Sequence, residues 1–188
     1  MATRDLILHL GQELFRTRGF NAFSYYDLAD ALKVRPAAIH YHFPTKDDLA
    51  RAIIEQERES FHAFAEKTDQ LPDQRQRLRR FIQTFAEHAE AHRLCLVGAS
   101  GADYASFGAG VHREIRQMAT DIIAWLERTL QEGRKAGRLA FDGTAHTRAL
   151  IVVTNMAASL HLSRILGTQE FKRLSQQLLS DLTARSTP

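Results

Sequence analysis

Apolar positions recur along this chain at intervals of three and four from one end to nearly the other, the period of helices packed by one face. Near the amino terminus Leu6, Ile7, Leu10, Leu14 and Phe15 form one stripe, and Gly19 predicts a left-handed stop. Ser24 with Asp27 is a capping box that opens a second helix edged by Leu28 and Leu32. A tight turn at Lys33–Val34–Arg35 precedes Pro36, which suits a first helical position because no N–H is needed there. Pro44 ends this third piece, and Thr45 with Asp48 caps a fourth. The third helix has only about two turns. Ile39 and Phe43 point inward; Arg35, Ala37, Ala38, His40, Tyr41 and His42 are left outward.

The remainder also reads helical, with no convincing period-two strand and no internal repeat. Lys46 to about residue 68 is one long helix, broken by Leu71–Pro72–Asp73. Leu78, Phe81, Ile82, Phe85 and Ala89 make the next stripe. Residues 94–110 contain four glycines and predict an irregular connection holding at most one short helix. From Val111 to about residue 137, Ile115, Met118, Ala119, Ile122, Leu126 and Leu130 share a side. Residues 143–166 are apolar over most of their circumference, so that helix must be covered on more than one side. Glu170 to about residue 184 carries Phe171, Leu174, Leu178 and Leu182 in register. The expected class is therefore all-α, with a boundary near residue 48: residues 1–48 as one domain, 49–188 as the other.

A short helix showing small, aromatic and imidazole groups, braced by the one before it, suits insertion into the DNA major groove. The same pattern would also serve a helical hairpin in a bundle. The segment from Ser24 to Leu49 resembles the DNA-binding domain of tetracycline-repressor-type (TetR/AcrR) transcriptional regulators. The resemblance is carried by YYDLADAL, the valine in the turn, IHYHF at Ile39–Phe43 and PTKDDL at Pro44–Leu49. It departs at two positions: Lys33 stands where the family usually has glycine, and His40 where it usually has tyrosine. Lysine is poor in a left-handed backbone position, and His40 changes what is offered to the bases.

The resemblance implies a helix–turn–helix at about 24–43, with Tyr41 and His40 meeting bases. Arg35, Ala37 and Ala38 would lie close to the groove floor, and Ser24, Tyr25, His42 and Lys46 would position phosphates. It implies a homodimer through helices at about 145–166 and 170–184 on a double-stranded palindromic operator, the two reading helices about 34–36 Å apart or somewhat more. A buried central helix of a monomer would equally explain the apolar run at 145–166. It also implies a small-molecule effector, held among the helices at 72–92, 111–136 and 145–166, that releases a repressor from DNA. Candidate lining residues are Phe81, Phe85, His92, Cys95, Met118, Ile122, Trp125, Met156 and His161; ordinary core is the alternative for most of them. His92, seven residues after Phe85, is expected on the apolar face and in need of a partner. The stretch Arg93–Gly98 resembles one in regulators of this type that sense oxidants or electrophiles through a cysteine. Arg93 and His92 would then raise the thiolate fraction of Cys95.

Composition narrows the picture further. A chain of 188 residues holds one large or two small domains. The net charge of +3 does not argue for nucleic acid by itself, and the first 51 residues carry seven cations against six anions. Phosphate attraction must come from arrangement, with Lys33, Arg35 and Lys46 flanking the short helix. The single cysteine excludes an internal disulfide and suits a reducing cytoplasm. No apolar run is expected to reach membrane-spanning length, and residues 1–5 do not begin a signal peptide. His88 and His92 have the four-residue spacing of metal ligands on a helix, yet HAEAH is not HExxH. A metal-sensing regulator through His88 and His92, a helical metal-dependent enzyme and a structural adaptor are the other readings; no cofactor and no catalytic residue are expected.

Overall fold

The computed structural model describes residues 2–183. Nine α-helices form among them and no strand: α1 (Thr3–Arg18), α2 (Tyr25–Leu32), α3 (Pro36–His42), α4 (Lys46–Asp69), α5 (Gln74–Glu90), α6 (Leu96–Asp103), α7 (Ala109–Lys135), α8 (Ala145–Leu166) and α9 (Thr168–Thr183). Short 3-10 turns lie at Phe20–Ala22 and Tyr104–Ser106. The chain divides into two compact units, one of residues 1–60 with 96–118, the other of 61–95 with 119–188. The unit holding the helix–turn–helix therefore runs past residue 48 and includes a second, distant stretch of sequence.

In the first unit α1 buries Ile7, Leu8, Gly11 and Phe15, while Leu6 is exposed and Leu10 and Leu14 are half-buried. The expected stripe keeps Ile7 and Phe15 but is completed by Leu8 and Gly11, and Gly11 lies against Leu49 and Ile53 of α4. A Cβ on Gly11 would already stand 3.3 Å from both of those side chains. Gly19 does adopt positive φ (94°) but with ψ 157°, so the helix ends in an extended glycine and not in the left-handed cap expected. Phe15, Phe20 and Phe107 pack ring to ring at 5.0–6.0 Å. Arg16 is almost fully buried in the same region, its charge met by Glu57 at 2.7 Å.

Residues 94–110 are more regular than their glycines suggest. Leu96, Ala99 and Ser100 are buried and α6 packs on α1, so tertiary contact overrides weak local propensity. Asp103 at the end of α6 accepts from the Phe20 amide at 2.6 Å and from the Asn21 side-chain amide at 2.9 Å. Ser106 joins Asn21 at 3.0 Å. Asp47, in the first turn of α4, accepts from the Gly108 amide at 2.8 Å. A Cβ at Gly108 would sit 2.5 Å from that same carboxylate oxygen, which explains the glycine.

In the second unit α8 packs on α9 and α5. Its buried face is Ala145, Ala149, Val152, Met156, Ser159, Leu160 and Ser163. Its other face leaves Leu150, Ile151, Leu162 and Ile165 exposed, Ile165 at 77 %. Contrary to the sequence expectation, α8 is long and apolar enough to cross a membrane by length and composition, with mean hydropathy 1.5 over its best window. A third of that window is already buried in protein, and core helices of soluble proteins pass the same test.

Candidate nucleic-acid interface

The helix–turn–helix is assembled by local chemistry. Ser24 caps α2: its backbone N–H donates to Asp27 at 2.6 Å and its hydroxyl donates to the same carboxylate at 2.6 Å. Thr45 and Asp48 repeat the arrangement at the start of α4, at 3.0 Å and 2.7 Å. The hydrogen bonds from Ser24 hold the Asp27 carboxyl below the usual range, and those from Thr45 do the same for Asp48. Lys33 closes α2 in a left-handed conformation, φ 56° and ψ 41°, so the lysine that replaces the expected glycine accepts the strain. Its side chain is 80 % exposed and pairs only with the exposed Asp30.

Pro36 then opens α3, which hides Ile39 and little else. Arg35, Ala37, His40 and Tyr41 are exposed, Tyr41 at 83 %, with Ala38 and His42 half-buried. The His40 ring lies edge-on to Tyr25 at 4.8 Å, and its Nδ1 is 3.3 Å from the Pro44 carbonyl. If that contact is a hydrogen bond, Nδ1 carries the proton and Nε2 is left as an acceptor. Tyr41 lies edge-on to His42 at 5.1 Å.

Three expected phosphate contacts are otherwise engaged. Tyr25 is 8 % exposed, and its hydroxyl hydrogen is shared between the carbonyls of Phe43, at 2.9 Å, and Thr45, at 2.6 Å. It is a core residue that braces the end of α3, and burial pushes its phenol well above the ordinary value. The periodicity already carried this: Tyr25, Leu28, Ala29 and Leu32 share one face, which turns Tyr26 outward. Tyr26 is 76 % exposed and is the surface aromatic that sequence reasoning passed over. The Ser24 hydroxyl hydrogen is committed to Asp27. Lys46 donates to the carbonyls of Phe20 and Phe23, and its ammonium sits 4.4 Å from both ring centroids. Burial lowers its pKa, with Asp103 and Asp27 pulling the other way.

The candidate effector residues divide as well. Met118 is buried in the first unit, whereas Phe81, Phe85, Ile122, Trp125 and Met156 belong to the second. Phe81 contacts Phe85 at 5.1 Å and Trp125 at 5.8 Å, and the Trp125 indole N–H donates to Asp69 at 2.9 Å. Two histidines are not interior. α5 stops at Glu90, so His92 falls in a turn with φ 53°, exposed; its backbone N–H donates to the Ala89 carbonyl at 3.1 Å and its carbonyl accepts from Arg164 at 2.7 Å. His161 lies on the exposed face of α8. Because His92 is outside the helix, His88 and His92 do not share a helical face, and no cluster of three or more His, Cys, Asp or Glu suited to a metal occurs among the described residues. Cys95 is half-buried just before α6. An interior polar group that sequence reasoning missed is Thr129, fully buried on α7 with its hydroxyl unbonded.

Residues 7–53 match the family model described as bacterial regulatory proteins, tetR family, and residues 75–178 match the tetracyclin repressor-like C-terminal domain. The chain belongs to the TetR family. As a TetR-family member it is a DNA-binding transcriptional regulator, from a family of regulators and not of enzymes. It is 25 % identical over 165 residues to the HTH-type transcriptional repressor BepR of Brucella suis, covering 85 % of this chain and 79 % of that one. A TetR-family regulator from Agrobacterium tumefaciens superimposes with a TM-score of 0.90 at 27 % identity, over 96 % of this chain and 97 % of the other. The reduced form of E. coli NemR shares the fold, with a TM-score of 0.82 at 17 % identity over 99 % and 100 % of the two chains.

Proposed function

We propose that this TetR-family protein is a cytoplasmic, dimeric repressor that binds a pseudo-palindromic operator through α3 and leaves it when a small molecule occupies the second unit. The observation that carries the reading is the solvent face of α3, where Ala37, His40 and Tyr41 stand exposed above a single buried anchor, Ile39. Tyr41 and His40 meet base edges, and a His40 with its Nε2 free as acceptor suits the exocyclic amino group of adenine or cytosine. Ala37 and Ala38 allow close approach, and Arg35 supplies charge at the groove. Phosphates are met by Tyr26, Lys33 and His42, while Tyr25, Ser24 and Lys46 hold the reading elements in place.

Pairing of two copies through α8 and α9 accounts for the exposed Leu150, Ile151, Leu162 and Ile165, which form one stripe along a helix already buried on its opposite side. The effector is an uncharged or weakly polar aromatic-sized molecule, because Phe81, Phe85, Trp125 and Met156 supply apolar surface and the Thr129 hydroxyl supplies a hydrogen bond.

Selection from random duplex DNA combined with sedimentation tests the reading. The wild-type chain is expected to sediment as a dimer and to enrich an inverted repeat. Leu162→Glu with Ile165→Glu is expected to give a folded monomer with operator affinity reduced at least a hundredfold. A wild-type monomer, or a selection without an enriched sequence, refutes it.

A further inference from the structure

Between the last turns of α4 and the first turns of α5, within the second unit, lies a cleft of about 180 Å³ lined by Phe64, Lys67, Thr68, Leu71 and Arg80. Its apolar side is firmly built. The Phe64 ring is held edge-on by Trp125 at 5.7 Å and stacks at 29° against Phe61 at 6.2 Å. Thr68 is only 5 % exposed, yet its hydroxyl makes no hydrogen bond among the described residues. A hydroxyl that meets solvent only at a cleft and lacks a protein partner is an open position for a ligand atom.

The charges around the cleft point the same way. Lys67 and Arg80 are exposed and form no ion pair among the described residues. Arg77 nearby is paired with Glu132 at 2.8 Å and Arg75 with Asp73 at 3.0 Å, while Arg79, exposed beside Arg80, forms no ion pair among the described residues. Glu66, next to Lys67 in sequence, lines a different cleft beside Phe61 and Trp125, and Asp69 is taken up by Arg128 and the Trp125 indole. The carbonyl end of α4 places roughly half a negative charge nearby. Two whole cations outweigh it, leaving net positive potential over an apolar floor.

We propose that this cleft binds a small amphiphilic carboxylate. Its carboxylate lies between the Lys67 ammonium and the Arg80 guanidinium, whose fork matches two carboxylate oxygens. The Thr68 hydroxyl donates a further hydrogen bond, and a short aliphatic or single-ring body rests on Phe64 and Leu71. The volume is below the ~300–1,000 Å³ of drug-sized sites, which selects a single-ring or short-chain acid over a nucleotide. The site uses no residue assigned to DNA or to the interior of the unit, so it is independent of the repressor reading.

Trp125 is the only tryptophan and touches both Phe64 and Phe81, so its fluorescence responds to this cleft and to the effector position alike, and the Lys67 and Arg80 variants tell the two apart. Cyclohexanecarboxylate is the probe, with cyclohexanecarboxamide as its neutral counterpart and inorganic phosphate as the simple anion. Saturable binding of the carboxylate is expected, at least tenfold tighter than either comparison compound. Lys67→Met with Arg80→Met should weaken it at least tenfold, and Thr68→Val about threefold, with circular dichroism confirming that both variants fold. Calorimetric titration of the same samples supplies a readout that does not depend on the indole. Absence of saturable binding by both methods, equal binding by the carboxamide or by phosphate, or undiminished binding in the double variant overturns the assignment. Operator affinity is measured separately, so either hypothesis can fail alone.

Discussion

Replacing Lys46 with methionine separates a residue that organises the reading head from one that merely touches DNA. The ammonium donates to the carbonyls of Phe20 and Phe23 and lies over both rings, tying the 3-10 turn ahead of α2 to the first turn of α4. Hydrogen bonds to a charged group contribute about 1.5–3 kcal/mol each, and a cation over a ring about 0.5–2. Against this stands the desolvation that depresses the ammonium's pKa, which is relieved when the charge is removed. Methionine keeps most of the stem packed but leaves two carbonyls without a donor. A net loss of about 2 kcal/mol follows, roughly a thirtyfold change in the folding constant. Urea unfolding followed by far-ultraviolet circular dichroism measures it, since the lone tryptophan lies in the other unit. Operator affinity should fall on every sequence tested, while the slope of affinity against salt stays as in the wild type. A variant of unchanged stability whose salt slope drops by about one phosphate would show that Lys46 binds DNA directly, and the argument would be wrong.

Other substitutions probe neighbouring steps. Tyr41→Ala should leave folding intact, given its 83 % exposure, and cut discrimination between operator and random DNA by about tenfold or more in competition binding; equal weakening on all sequences would contradict base contact. Lys33→Gly relieves a left-handed non-glycine and forfeits only an exposed ion pair, so the urea midpoint should rise, by up to about 1 kcal/mol in stability; a lower midpoint would mean the lysine stem packs usefully. Asp27 and Asp48 have carboxyls held below their ordinary value, so their capping contribution is full above the unfolded pKa near 4 and is lost as pH falls through the folded values. Acid titration of Asp27→Ala with Asp48→Ala should therefore show a shallower loss of stability below about pH 4 than the wild type; parallel curves would place the acid sensitivity elsewhere.

Where a backbone signal and a side-chain pattern agreed, the residues announced the structure. Ser24, Pro36 and Thr45 start their helices as their chemistry demands, and α4 ends at Asp69, one residue from the expected stop. The errors share a cause, which is that a one-dimensional period cannot see a neighbour. A leucine period counts Leu6 as inside, yet α1 buries Leu8 and the close-packed Gly11 in its place. The seven-residue spacing from Phe85 carries His92 past the point where α5 stops. Residues 94–110 hold four glycines, which weaken a helix, and α6 forms there packed on α1. The commitment of Ser24 to Asp27 is the capping box itself, whereas those of Tyr25 and Lys46 come from carbonyls that only the folded chain brings near.

The seam formed by Asp103, Asn21, Phe107 and the Asp47–Gly108 contact has a practical corollary for anyone building hybrid regulators. A graft that transplants only the first sixty residues onto another relative would strip one wall from the Phe15–Phe20 cluster and orphan the amide of Phe20. The transferable module is discontinuous: it comprises the amino-terminal helices together with Leu96–Met118, and exchange experiments should cut the gene in three places instead of one.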